Sequence, residues 1–227
     1  EGRRRASLRA GAAPRRLPRR QPDLLDITLT LLFMVVGYLL GTIPTGYLVA
    51  RLRGVNIQEV GSGNIGATNV LRTLGWLPAA LVMVFDPLKG ALATLLPTLL
   101  GASNWTVALA GLAAVVGNSF NVFLRLRGGK GIATSIGVFV VVDPLTSLLC
   151  VLVGLFTILV SRYVSLGSIV GMFSLPLFVI AGGNFPVSHL FLAVCLSALT
   201  IFRHRDNVKR LLAGTERRLG QKVAPPS

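Results

Sequence analysis

The sequence predicts an all-α, polytopic integral membrane bundle of about seven transmembrane helices. Of its 227 residues, 52% are hydrophobic and 14% are charged, and the mean hydropathy is +0.71. A helix needs about 20 mainly apolar residues to cross the hydrocarbon core of a bilayer. By this measure the predicted spans lie near residues 27–50, 77–100, 105–124, 132–143, 145–161, 166–181 and 187–202. The fourth span is short, and we expect it to be tilted, half-buried or joined to the fifth through Asp143 and Pro144.

The basic residues predict how these spans are oriented. Cytoplasmic loops of membrane proteins carry an excess of lysine and arginine. The connections around 101–104, 143–145 and 182–186 contain neither residue. The basic residues of the other connections all fall on the opposite side: Arg51, Arg53, Arg72, Arg125, Arg127, Lys130, Arg162 and the tail from Arg203 to Lys222. We therefore expect a multi-pass protein of the cell (plasma or inner) membrane, with the N-terminus outside and these polar loops facing the cytoplasm.

The N-terminal segment opposes this orientation. Residues 1–22 contain eight arginines and one glutamate, and they include no apolar run. Such a composition is typical of disorder. We interpret residues 1–24 as a disordered leader outside a folded domain at 25–218, followed by a flexible tail at 219–227. A targeting segment and a layout with six crossings are the alternatives.

Charge and cysteine content limit the possible partners. The net charge of +15 is compatible with nucleic acid, anionic lipid or phosphorylated substrates, and composition alone does not choose between them. Cys150 and Cys195 each lie in an apolar run, far from other thiols or histidines. Their positions indicate packing rather than a disulfide or a metal site.

The connection at 61–72 reads GSGNIGATNVLR and is rich in glycine and neutral donors. It matches G-x-G-x-x-G, but it lies between membrane spans and not after the strand of a βαβ unit, so a dinucleotide site is not indicated. Its glycines let the backbone curl around an anion. The side chains that would assist are those of Ser62, Asn64, Thr68, Asn69 and Arg72. The alternative is a solvated turn with an arginine that contacts phospholipid.

The connection at 125–131 reads RLRGGKG and stands immediately before a predicted helix. It is not a Walker loop, because Leu124 stands where the first glycine is required and Gly131 where Ser or Thr is required. Gly129, Lys130 and Gly131 nevertheless offer N–H groups, a positive charge and a helix N-terminus to one phosphate. A basic membrane anchor is the alternative, but it gives no reason for the glycines.

The end of the last span, RHRDNVKRLL at 203–212, forms a third polar segment. On a continuing helix, His204 and Asn207 lie along one stripe. The alternative is a basic helix on the lipid surface. Within the second span, Asp86 and Lys89 are one helical turn apart, and we interpret them as a local ion pair, with a catalytic couple as the alternative.

Taken in order, these segments resemble the acyl-phosphate:glycerol-3-phosphate acyltransferase (PlsY) family. The resemblance covers about residues 25–218 and rests on GTIPTGYLVAR, GSGNIGATNVLRTLG, FDPLKG, RGGKGIATSIG, SLGSI and RHRDNVKRLLAGTE. It implies transfer of a fatty acyl group from acyl phosphate to the 1-hydroxyl of glycerol 3-phosphate, giving lysophosphatidic acid and phosphate. Membrane lipids are then the expected surroundings, and neither nucleic acid, metal nor cofactor is expected.

The resemblance also implies roles for individual residues. Arg72, Lys130 and His204 would be catalytic. The acyl-phosphate head would be held by Ser62, Asn64, Thr68, Asn69, Gly129, Lys130 and Gly131. Glycerol 3-phosphate would be held by Arg72, Lys130, Ser165, His204 and Asn207. The proton acceptor stays open between His204 and a substrate phosphate.

One position departs from the family pattern. Where the family has Gly-His-x-x-Pro, this chain has Gly117-Asn118-Ser119-Phe120-Asn121. The change at Asn118 removes a titratable group but keeps the capacity for hydrogen bonding. It leaves a catalytically lapsed relative as an alternative, beside a transporter of small anions.

Overall fold

The computed structural model describes residues 23–183 and 185–221, and within these ranges the regular structure is entirely helical. Most of the predicted leader at 1–24 and of the predicted tail at 219–227 lies outside the described residues. The helices are α1 (Leu24–Gly41), α2 (Thr45–Arg51), α3 (Ala67–Leu74), α4 (Trp76–Leu99), α5 (Asn104–Ser119), α6 (Ile132–Val142), α7 (Pro144–Ser161), α8 (Val164–Ala181), α9 (Val187–Arg203) and α10 (Arg205–Leu212). A short 3₁₀ turn, Val122–Leu124, follows α5.

The prediction of a multi-pass helical bundle is confirmed, but the count of seven crossings is not. Five segments are long and apolar enough to cross a bilayer: Leu24–Arg51, Trp76–Leu99, Asn104–Leu124, Pro144–Ser161 and Val164–Ala181. A sixth is present if α9 and α10, which are bent by 58° relative to each other, count as one span. Helix α6 has 11 residues and therefore a length of roughly 16 Å, about half the hydrocarbon thickness.

Polar side chains set several of the helix starts. The Asp23 carboxylate accepts a hydrogen bond from the backbone N–H of Asp26, and the two residues form a capping box at α1. Asp143 caps α7 by accepting from the N–H of Thr146, and Pro144 occupies the first turn. The cap at Asp143 separates α6 from α7, so these two helices are not fused.

Small residues bring the central helices into close contact. A Cβ atom on Gly41 of α1 would lie 2.0 Å from the carbonyl oxygen of Ala114 in α5. A Cβ atom on Gly137 of α6 would lie 1.9 Å from the carbonyl oxygen of Pro87 in α4. Membrane helices associate largely through such van der Waals packing. This close approach packs α1 against α5 and α4 against α6.

Two buried clusters complete the bundle. The larger lies between α5, α6, α7, α8 and α9 and includes Val138, Phe139, Leu175, Leu192 and Leu196, as well as Cys150 of α7. Both cysteines are free thiols, as a packing role requires. The smaller cluster, Ala50, Ile57, Ile65, Val70, Ala79, Val82 and Leu124, anchors the loop between α2 and α3 against α4. The polar loops are therefore fixed to the bundle by an apolar core.

Candidate active site

The residues singled out by the sequence converge at one end of the bundle. All of them line a single cavity of about 470 Å³: Ser62, Asn64, Thr68, Asn69, Arg72, Gly129, Lys130, Gly131, Ser165, His204 and Asn207. They come from α3 and the loop before it, the glycine-rich turn before α6, the start of α8, and the junction of α9 with α10. Segments far apart in sequence thus form one polar site.

Asn69 organises the first of these segments. Its Nδ2 atom donates hydrogen bonds to the carbonyl oxygens of Val60 and Asn64, each 3.0 Å away. Its Oδ1 atom accepts from the N–H of Ser62 at 2.9 Å. The Asn69 side chain is 2% exposed, so it shapes the loop from inside. No side chain caps α3, whose N-terminus lies at the cavity.

The glycine-rich turn is held from two sides. The N–H of Gly129 donates to the carbonyl oxygen of Asn118 at 2.9 Å. The Arg203 guanidinium donates to the carbonyl oxygens of Gly128 and Gly129 at 3.1 and 2.9 Å. A Cβ atom on Gly128 would lie 2.0 Å from the Asn118 oxygen, and Gly131 has a φ of +80°. This close packing explains the glycines, which a membrane anchor alone would not need.

His204 lies where the last helix bends, so the expectation of one continuing helix is wrong. The 58° bend separates α9 from α10, and His204 and Asn207 still line the same cavity. The His204 Nδ1 atom lies 2.9 Å from the carbonyl oxygen of Thr200. Since a carbonyl oxygen only accepts, Nδ1 carries the proton and Nε2 is the basic nitrogen. Burial, and then the charge of Lys130, lower the pKa of His204 to about 4, so the ring is neutral near pH 7.

Lys130 and Arg72 supply positive charge. The Lys130 ammonium donates to Oδ1 of Asn207. Burial is the main reason that the pKa of Lys130 is lowered to about 8, and the nearby Glu216 carboxylate acts in the opposite direction. Burial also lowers the pKa of Arg72, followed in effect by the charge of Arg217. A guanidinium stays protonated in proteins, so Arg72 remains cationic.

Several residues of the site were not predicted from the sequence. The segment after α10 folds back over the cavity and brings Glu216 and Arg217 to it, and Arg210 joins them from α10. Glu216 stands at the end of the string RHRDNVKRLLAGTE, but nothing in a basic tail indicates that its single glutamate is buried. Only the tertiary fold reveals that position.

Asp86 and Lys89 form the predicted ion pair, at 2.9 Å within α4. Lys89 has two further partners, Oδ1 of Asn118 at 2.7 Å and the carbonyl oxygen of Ile43 at 3.0 Å. Asp86 also borders the cavity. Asn118 therefore connects the pair to the glycine-rich turn, because it contacts both Lys89 and Gly129.

The fold and the cavity define an integral membrane protein with a basic, glycine-rich cavity at one end of its helical bundle. The sequence profile of the glycerol-3-phosphate acyltransferase family matches residues 31–214. The chain belongs to this family.

Individual relatives agree with this assignment. The chain is 46% identical over 190 residues to a glycerol-3-phosphate acyltransferase of Thermus thermophilus, covering 84% of this chain and 95% of the relative. It is 48% identical over 199 residues to glycerol-3-phosphate acyltransferase 1 of Deinococcus radiodurans, covering 87% of this chain and 100% of the relative.

The fold is also similar to crystal structures of PlsY, an integral membrane glycerol 3-phosphate acyltransferase. The glycerol 3-phosphate form matches with a TM-score of 0.81 and 44% identity over 84% of this chain and 96% of that chain. The lysophosphatidic acid form matches with a TM-score of 0.79 and 43% identity over 84% of this chain and 95% of that chain.

Proposed function

We propose that this protein transfers a fatty acyl group from acyl phosphate to the 1-hydroxyl of glycerol 3-phosphate. The products are lysophosphatidic acid, an intermediate of phospholipid biosynthesis, and inorganic phosphate. The observation that carries the proposal is the convergence of the glycine-rich turn, the α3 segment and the α9–α10 bend on one cationic cavity. The crystal forms of PlsY with glycerol 3-phosphate and with lysophosphatidic acid support it.

The reaction requires little covalent chemistry from the protein. The hydroxyl oxygen of glycerol 3-phosphate attacks the acyl carbonyl carbon, a new ester C–O bond forms, and the C–O bond to phosphate breaks. The proton of the hydroxyl passes either to the leaving phosphate or to Nε2 of His204. Because acyl phosphate is a mixed anhydride, positioning and electrostatic stabilisation are enough for rapid transfer.

The residues divide these tasks. The N–H groups of the glycine-rich turn, together with Lys130 and the polar side chains of Ser62, Asn64 and Thr68, hold the acyl-phosphate head. Asn69 contributes by shaping the loop. Glycerol 3-phosphate binds between Arg72, Lys130, Ser165, His204 and Asn207. Lys130 attracts the phosphate groups of both substrates and stabilises the negative charge that develops on the leaving phosphate. The acyl chain lies among the spans.

The orientation in the membrane follows from the basic loops. The connections that carry arginine and lysine surround the cavity, and the positive-inside trend supports a position at the cytoplasmic face. Water-soluble glycerol 3-phosphate would then enter from the cytoplasm, while the acyl chain enters from the lipid. The functional domain comprises residues 25–218, and the location is the plasma or inner membrane.

The decisive experiment uses the purified full chain in detergent or vesicles. We expect it to release phosphate from palmitoyl phosphate only when glycerol 3-phosphate is present, in a 1:1 ratio with lysophosphatidic acid. Phosphate flux across vesicles without acyl transfer would instead indicate an anion transporter. Binding of both substrates without turnover would indicate a catalytically lapsed relative.

A further inference from the structure

Glu216 places a carboxylate in a cavity that otherwise suits anions. Its side chain is only 6% exposed. The segment after α10 brings it there and is fixed by a hydrogen bond from the N–H of Leu219 to the carbonyl oxygen of Arg162, at 2.7 Å. The Arg72 guanidinium contacts the carbonyl oxygen of Arg217 in the same segment, at 3.4 Å. A negative charge beside a phosphate site repels the phosphate, so its presence here needs a structural explanation.

The partners of this carboxylate suggest that explanation. Its Oε1 atom accepts hydrogen bonds from Oγ of Ser165 at 2.8 Å and from Nδ2 of Asn207 at 2.7 Å. Its Oε2 atom accepts from Nε of Arg210 at 2.7 Å. One carboxylate oxygen therefore contacts two of the neutral side chains that the proposed function assigns to glycerol 3-phosphate, Ser165 and Asn207. The other oxygen forms the ion pair with Arg210.

These bonds fix which way the neutral groups point. A serine hydroxyl has one proton to donate, and Ser165 gives it to Glu216, so its free lone pairs can only accept. Asn207 directs its amino group to Glu216, which turns its Oδ1 atom toward Lys130. A phosphate monoester near pH 7 is largely ionised and therefore mainly accepts hydrogen bonds. A glycerol hydroxyl can donate one.

We propose that Glu216 is a positioning residue that makes Ser165 a hydrogen-bond acceptor for a hydroxyl of glycerol 3-phosphate. This end of the cavity then recognises the glycerol part of the substrate, while Lys130 and Arg72 bind its phosphate. The inference rests on the proposed function and deepens it. It proposes that the buried Glu216 carboxylate allows the site to distinguish glycerol 3-phosphate from inorganic phosphate.

The carboxylate remains ionised in this role. Burial by itself would raise the pKa of Glu216. The hydrogen bonds from Arg210, Asn207 and Ser165 together outweigh that effect, and the pKa is held below its usual range. Glu216 can thus accept all of these bonds throughout the neutral pH range.

Two substitutions separate the positioning role from the ion pair with Arg210. Glu216→Ala removes every acceptor and frees Ser165 to rotate. Glu216→Gln keeps one oxygen, which can accept from both Ser165 and Asn207 as Oε1 does now, but it abolishes the ion pair. Arg218→Ala is the matched control, because Arg218 is exposed on the same segment and does not line the cavity.

We expect Glu216→Ala to raise KM for glycerol 3-phosphate roughly tenfold. KM for palmitoyl phosphate and the inhibition constant of inorganic phosphate should change less than about twofold, since neither ligand presents a glycerol hydroxyl. Glu216→Gln should recover most of the lost affinity, and Arg218→Ala should behave as the parent. The positioning role would be overturned if Glu216→Gln and Glu216→Ala raised KM for glycerol 3-phosphate equally. It would also be overturned if the inhibition constant of phosphate rose in parallel with that KM.

A second route keeps the test valid if Glu216→Ala fails to fold. Ser165→Ala removes the acceptor directly, and it should raise KM for glycerol 3-phosphate while the inhibition constant of phosphate stays constant. Unchanged KM in this variant would overturn the inference and leave the acyltransferase assignment intact. Absence of any turnover in the parent protein would overturn the proposed function itself, and the inference with it.

Discussion

The ammonium group of Lys130 donates a hydrogen bond to Oδ1 of Asn207, which lies 77 positions further along the chain. This bond connects the glycine-rich turn before α6 to the helix that follows the α9–α10 bend. Its acceptor is a neutral amide, so the charge of Lys130 is not cancelled by the contact. Lys130 is therefore positioned and still able to bind an anion.

Removing either cation should reduce acyl transfer strongly. We expect Lys130→Ala and Arg72→Ala each to lower kcat/KM by about a hundredfold or more, because a developing charge loses a preorganised partner. The measurement is phosphate release from palmitoyl phosphate with varied glycerol 3-phosphate. Arg127→Ala is the control, since Arg127 is exposed in the same connection and lies outside the cavity. Parental rates in both cavity variants would remove these residues from the site.

The activity should decline in mild alkali. Lys130 has a pKa lowered to about 8 from the ordinary 10.5, so it loses its positive charge as the pH rises through about 8. Phosphate binding requires the charged form of Lys130. The contribution of Lys130 to kcat/KM should therefore be constant below pH 8 and should fall above it. The charged or titratable groups around Lys130 are Glu216, Arg210, Arg203, Asp206 and His204.

Lys130→Arg provides the test of this assignment. A guanidinium does not titrate in the accessible range, so the variant should lack the decline above pH 8 even if its rate is lower. Spontaneous hydrolysis of palmitoyl phosphate is measured without protein at each pH and subtracted. An alkaline limb that is identical in the parent and in Lys130→Arg would assign the titration to another group.

The sequence predicted the helical bundle and most of the cavity lining. It did not predict the number of crossings, the bend at His204 or the position of Glu216. Hydropathy located each apolar helix, yet α6 is too short to cross, because length and not apolar character decides a crossing. The motifs located the lining of the cavity. The bend at His204 and the buried Glu216 were missed, since both depend on how the segment after α9 folds back against α8, which no local pattern encodes.

Arg203 should control the shape of the glycine-rich turn, although it is not one of the site residues predicted from the sequence. Its guanidinium donates to the carbonyl oxygens of Gly128 and Gly129 and lies 5.2 Å from the centre of the Phe120 ring. Arg203→Met keeps a similar apolar stem but removes these donors. We expect KM for palmitoyl phosphate to rise roughly tenfold, because the N–H groups of the turn lose their fixed positions.

The matched control is Arg205→Met, which removes an exposed guanidinium that lies 4.7 Å from the centre of the Phe202 ring. This variant should retain the parental KM for palmitoyl phosphate. Equal effects of Arg203→Met and Arg205→Met would mean that only the general positive charge at this end of the bundle matters, and not the bonds to the glycine carbonyls.

Asn118 should support the site as well as the histidine of the family pattern does. Its Oδ1 atom accepts from Lys89, and its backbone oxygen accepts from the N–H of Gly129. A neutral histidine can offer Lys89 one acceptor nitrogen, so we expect Asn118→His to remain within about tenfold of the parental rate. Asn118→Leu leaves Lys89 with Asp86 and one carbonyl oxygen. The loss of a buried acceptor should cost about 1–3 kcal/mol and lower the thermal unfolding midpoint.

Measuring acyl transfer and thermal unfolding on the same preparations distinguishes the possible roles of this position. If Asn118 is structural, the parent and Asn118→His are both active, and Asn118→Leu loses stability and activity together. A parent that binds both substrates without turnover, and that gains activity on Asn118→His, would instead identify a lapsed enzyme. In that case the histidine takes part in the reaction itself, because restoring a hydrogen bond that Asn118 already makes cannot create catalysis.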